Sequence, residues 1–95
     1  MEKYFVYDQR LDLHVPLKTI PWEKLSNDET KAIEVFWETE RGKIPTKIKS
    51  LDQKMERIQE YLSKEESFKK ACEWNDALSN LASIVNDLWL WYRIR

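Results

Sequence analysis

The chain has 95 residues, 42% hydrophobic, 35% charged and 13% aromatic, which excludes a disordered chain and allows a single hydrophobic core. Sixteen Lys and Arg against seventeen Asp and Glu leave a net charge of −1, so no general pull toward a polyanion is expected. One Cys excludes a disulfide framework, one Cys with one His argues against a zinc site, and one Gly leaves no Gly-rich phosphate loop.

The opening Met1-Glu2-Lys3-Tyr4 is not followed by the apolar run of a signal peptide. The longest weakly charged stretch, Ala77 to Tyr92, carries Asp87 and is shorter than the roughly 20 residues of a bilayer span. A cytoplasmic protein without membrane contact is therefore expected. Within residues 1–21, Tyr4-Phe5-Val6-Tyr7 is β-prone, Asp8-Gln9-Arg10 can turn, and Leu11, Leu13 and Val15 alternate with Asp12 and His14. The pattern predicts an extended or β-hairpin arm, closed off by Pro16 and Pro21.

Three helices are expected, at 26–41, 45–62 and 64–93. Ser26-Asn27-Asp28-Glu29 is a capping box, followed by an apolar stripe of Ala32, Ile33, Phe36 and Trp37. Gly42 sits where a left-handed helix stop belongs. Pro45 opens a second helix, whose Ile44, Ile48, Leu51, Met55, Ile58 and Leu62 form a narrow heptad seam. Ser63-Lys64-Glu65-Glu66 reads as a second capping box that breaks the chain after Leu62.

On a helical wheel, Ala71, Trp74, Leu78, Leu81, Ala82, Val85, Leu88, Trp89 and Tyr92 centre one face of the third helix. Phe68 and Cys72 extend that face on one side, Ile84 and Trp91 on the other. An arc this wide predicts a helix buried on most sides, with Cys72 a small buried hydrophobe. Asn75, Ser79 and Asn86 lie along one edge of the arc, where they bond neighbouring backbone or line a groove for a partner. The fold expected is mainly α, a three-helix antiparallel bundle with the arm of residues 1–21 across it, as one domain.

No constellation in the sequence assigns a chemistry. His14 lies beside Pro16 with no G-x-S-x-G anywhere, and reads as a surface or boundary side chain. Glu34 and Glu38 share a face of the first helix, and Glu73 and Asp76 a face of the third. Carboxylates on facing helices are one way to hold Mg²⁺. The Glu73-Trp74-Asn75-Asp76 spacing resembles the E-x-x-D helix of the all-α nucleoside triphosphate pyrophosphohydrolases. That resemblance implies a metal-dependent pyrophosphohydrolase, but the upstream helix lacks the consecutive Glu cluster that would complete it. Solvated helix faces with ion pairs are the expectation here, with no catalytic, cofactor or metal residues.

The C-terminal Trp89-Leu90-Trp91-Tyr92-Arg93-Ile94-Arg95 combines aromatics with Arg, one recipe for single-stranded nucleic acid. Without a basic stripe, a protein contact is the better reading, because Trp, Tyr and Arg dominate such contacts. The third helix outruns the second, and Tyr4, Phe5, Val6 and Tyr7 of the arm are expected to cover part of the excess. Leu90, Trp91, Ile94 and Arg95 would remain as the surface for a protein partner or a second copy. The function expected is that of a small non-catalytic cytoplasmic protein acting through protein–protein interaction.

Overall fold

The computed structural model describes residues 1–94. It is mainly helical, with an N-terminal two-stranded hairpin. Strands β1 (Phe5–Asp8) and β2 (Leu13–Pro16) pair antiparallel, with Tyr7 opposite His14. The connection needs no Asn-Gly pair. Asp12 takes the left-handed conformation at φ 52°, which a short polar side chain tolerates, and the Asp8 carboxylate accepts the Leu11 N–H at 3.0 Å.

Three helical segments follow: α1 (Asn27–Arg41), α2 (Ile44–Lys64) and α3 (Phe68–Tyr92). The predicted capping box at the start of α1 is complete, with Ser26 Oγ accepting the Glu29 N–H and Glu29 accepting the Ser26 N–H. The expected three-helix antiparallel bundle does not form, because α1 and α2 are one bent helix of 38 residues. Gly42, expected to stop the first helix in a left-handed turn, is right-handed at φ −63°, ψ −18°. The chain keeps its right-handed path past it: the Gly42 N–H bonds Glu38 O at 3.0 Å, the Lys43 N–H bonds Glu40 O at 3.1 Å in a tighter turn, and the ladder resumes with the Lys47 N–H to Lys43 O at 3.2 Å. Pro45 supplies the bend: it has no N–H for the Arg41 carbonyl, and its ring crowds that oxygen.

Only α3 runs back. The second break also falls later than the sequence predicts, at Glu65-Glu66-Ser67. Ser63 Oγ donates to the Glu60 carbonyl at 2.8 Å instead of capping. Ser67 is the cap, its Oγ accepting the Lys70 N–H. The molecule measures 61 × 20 × 17 Å, the long axis set by a bent helix of about 57 Å.

Two regions result. The head holds the buried core: Phe5, Leu11, Leu13, Val15 and Ile20 from the N-terminal segment, Ile33 and Trp37 from α1, Ile44 and Ile48 from α2, and Leu88 from α3. The stalk is the α2–α3 pair beyond it, where no residue between Ile48 and Leu88 is buried. The predicted α2 seam is present there, with Leu51, Met55, Ile58 and Leu62 half-buried, and Tyr61 stacks on Trp74 at a centroid distance of 5.3 Å.

Helix α3 is thus not the enclosed element its composition suggests. Leu88 is its only buried residue among those described. Ala82, Trp89 and Cys72 are exposed, while Ala77, Ile84 and Trp91 turn partly inward. The wheel erred because one neighbouring helix covers one stripe, and the hairpin reaches only the C-terminal turns.

Candidate functional site

An apolar groove of about 730 Å³ runs along the head between the Pro16–Trp22 segment, α1 and the C-terminal end of α3. The chain enters this region through Ile20, buried, and a short 3-10 turn at Trp22–Lys24. Trp22 is left 48% exposed on the rim. Helix α1 contributes Ile33, Glu34, Trp37 and Glu38 to the lining, and Lys18 also lines it.

Two hydrogen bonds and a cation–π contact help to fix the end of α3 against α1. The Trp37 indole N–H donates to the Ile94 carbonyl at 3.0 Å, and Arg41 Nη1 donates to the Tyr92 carbonyl at 2.9 Å. The Arg41 guanidinium also lies over the Tyr92 ring, 5.3 Å from its centroid. Free carbonyls at a helix C-terminus attract such donors, and a cation there suits the helix dipole.

The four residues marked from the sequence as a contact surface fall differently. Trp91 lines the groove but is half-buried, packed edge-on against Trp37 at 5.8 Å. Ile94 lines the groove and is 46% exposed, and Leu90 is 51% exposed. Arg95 lies outside the described residues. Sequence reasoning missed Trp22, whose only signal was an aromatic directly after Pro21. The arm does not lie along α3 as expected: Phe5 packs on Phe36 and Trp37 of α1, while Val6 and Tyr7 are exposed.

Polar links dock the hairpin on all three helical segments. Arg10 bonds Asp87 and Ser83 of α3 at 2.6 Å each. Asp12 accepts from Lys47 of α2 at 3.1 Å and from the Tyr7 hydroxyl. Glu40 of α1, only 4% exposed, accepts the backbone N–H and ring Nδ1 of His14 at 3.1 and 2.8 Å, and pairs with Lys43. Burial pushes the Glu40 carboxyl up, but the Lys43 ammonium and the His14 donors outweigh it and hold the group below its ordinary range. Asp12 is also lowered, by the Tyr7 hydroxyl and then Lys47.

A second cleft of about 680 Å³, lined by Arg10, Lys43, Lys47 and Lys54, opens beside the hairpin loop. It offers an anion little, because carboxylates already match Arg10, Lys43 and Lys47. The acidic pairs considered for Mg²⁺ are not brought together. Glu34 and Glu38 edge the groove of the head, whereas Glu73 and Asp76 are exposed on the stalk part of α3. Among the described residues, no group of three or more His, Cys, Asp or Glu is placed to hold a metal ion, and no helix is long and apolar enough to cross a membrane.

No protein-family model matches the chain, and neither do the curated proteins or the solved structures.

Proposed function

We propose that this is a small non-catalytic cytoplasmic protein that acts by seating a segment of a protein partner in the groove of its head. The observation that supports this reading is the composition of the rim. Trp22 and Ile94 keep 48 and 46% of their surface in water beside an apolar groove. Aromatic and aliphatic side chains around a concave apolar site are the usual anchors of a protein contact. The groove holds no convergent set of acid, base and nucleophile.

Affinity capture from the native host, read by mass spectrometry, tests this with wild-type protein beside a Trp22→Ser, Ile94→Ser variant. Both changed side chains are exposed, so the fold should survive, as circular dichroism will show. A partner held by the wild type and lost by the variant is the expected result. If every captured protein is retained equally by both, the groove is not the acting surface.

A further inference from the structure

The molecule is under-buried for its mass, and the deficit lies on the stalk. The accessible surface is 7317 Å², against about 5,800 Å² for a compact monomer of 11.6 kDa. The radius of gyration is 17.8 Å, against about 12 Å for a compact chain of this length. A standard protein–protein contact removes about 800 Å² from each partner, so the surplus of roughly 1,500 Å² is enough to supply one.

Helix α3 carries a second heptad stripe beside the seam that faces α2. It starts at Phe68 and ends at Trp89, which are 84% and 41% exposed. Between them Cys72, Asn75, Ser79, Ala82 and Asn86 continue the alternating 4 and 3 spacing, all exposed. The stripe spans three heptads, about 32 Å of helix, without a charge. The hairpin meets α3 on the adjoining flank, at Ser83 and Asp87, and leaves the stripe itself exposed. The Asn and Ser side chains on it make no hydrogen bond within the chain among the described residues, so the expectation that they fix internal packing is not met.

We propose that two copies pair side by side through this stripe, antiparallel about a two-fold axis at Ser79, joining two stalks into a four-helix bundle. The pattern is its own complement, as a two-fold interface requires. Reversed about Ser79, it sets the aromatic of each end, Phe68, on Trp89 of the second copy, Cys72 on Asn86, and Asn75 on Ala82. Small side chains in the middle let the helices approach closely, and the amide groups there find partners. Lys69 and the helix dipoles favour the antiparallel arrangement. A parallel pair would bring Lys69, on the flank of the stripe, beside its own copy. Reversal separates the two Lys69 side chains and opposes the helix dipoles. It also covers the exposed Phe68 at the stalk tip with the head end of the neighbour.

Sedimentation equilibrium of the full chain, combined with site-specific crosslinking, tests the pairing. The expected mass is twice 11.6 kDa. Ala82→Glu should weaken the dimer by at least about tenfold with its helical circular dichroism intact, because it puts a charge in the contact. Asn80→Glu, off the stripe, should leave the dimer unchanged, and so should Trp22→Ser, which separates this contact from the groove. Ser79→Cys in a Cys72→Ser background should crosslink under oxidised glutathione, because the two cysteines meet at the axis. The wild type should not, since its two Cys72 lie about 21 Å apart along the bundle, beyond the roughly 7 Å that a disulfide spans. A monomer at millimolar concentration overturns the proposal. A dimer that resists Ala82→Glu and fails to crosslink through Ser79→Cys overturns it too. Ready crosslinking of wild-type Cys72 would overturn the antiparallel register.

Discussion

Glu40 and His14 are joined twice, carboxylate to backbone N–H at 3.1 Å and carboxylate to imidazole Nδ1 at 2.8 Å, across 26 residues of sequence. The pair pins β2 to α1 at a point where the carboxylate is almost sealed from water. Its folded-state pKa is depressed, so its contribution to stability is present above the unfolded carboxyl pKa. That contribution is lost as pH falls through the folded value. Glu40→Gln should cost about 1–3 kcal/mol at neutral pH. It should also flatten the acid side of the stability profile, leaving the slope from Asp12. Urea denaturation at neutral pH and at about pH 3 measures both effects. A variant with the wild-type slope would mean that Glu40 does not hold the hairpin.

Leucines on one helix should differ in worth. Leu88 is fully buried where head and stalk meet, whereas Leu78 and Leu81 are half-buried on the stalk. Leu88→Ala should therefore cost about 3–5 kcal/mol, and Leu78→Ala or Leu81→Ala nearer 1–2 kcal/mol. Chemical denaturation of the three variants, at concentrations where the chain is monomeric, ranks them.

Arg41 closes the carbonyl end of α3 with a charge-assisted bond and lies on the Tyr92 ring. Arg41→Met keeps much of the aliphatic stem and removes the donors. A loss of about 1–2 kcal/mol is expected, with earlier hydrogen exchange in the last turn of α3 than in its middle.

The sequence marks Trp91 as part of a contact surface. Its edge-on packing against Trp37 changes the expectation. Trp91→Ser should destabilise the head by about 2–4 kcal/mol, while Trp22→Ser, on the exposed rim, should stay within about 1 kcal/mol. Thermal unfolding followed by tryptophan fluorescence separates them, and equal losses would place Trp22 in the core.

Features written in local chemistry were legible in the sequence. The Ser26–Glu29 box, the hairpin alternation and the α2 seam each depend on residues a few positions apart. What failed depended on how many neighbours a surface meets. Ala82, Trp89 and Cys72 looked internal because α3 is apolar around most of its circumference, yet one helix beside it covers only one stripe. Gly42 caps α1 and Pro45 stands in the first turn of α2, as the sequence suggests, but Gly42 and Lys43 stay right-handed, so the two segments run on as one bent helix. Glu40 had a signal that went unread: it stands three residues after Trp37 and four after Phe36, on the apolar face of α1, where a carboxylate needs partners. Lys43, three residues on, is one of those partners and follows from helical spacing; His14 is the other, and no spacing rule connects it to Glu40.

The ends of the described chain meet in the head, and this orders the way the molecule forms. Arg10 reaches Asp87 across 77 positions, and Trp37 reaches Ile94 across 57. The stalk is closed by a three-residue turn and made of near neighbours in sequence. Loop-closure entropy delays the first kind of contact and scarcely touches the second. Helix signal should therefore rise in refolding before the tryptophans of the head are covered. A refolding chain would hold a stalk already paired while its N-terminal strands wait, without a helix end to dock on, for the C-terminal turns of α3.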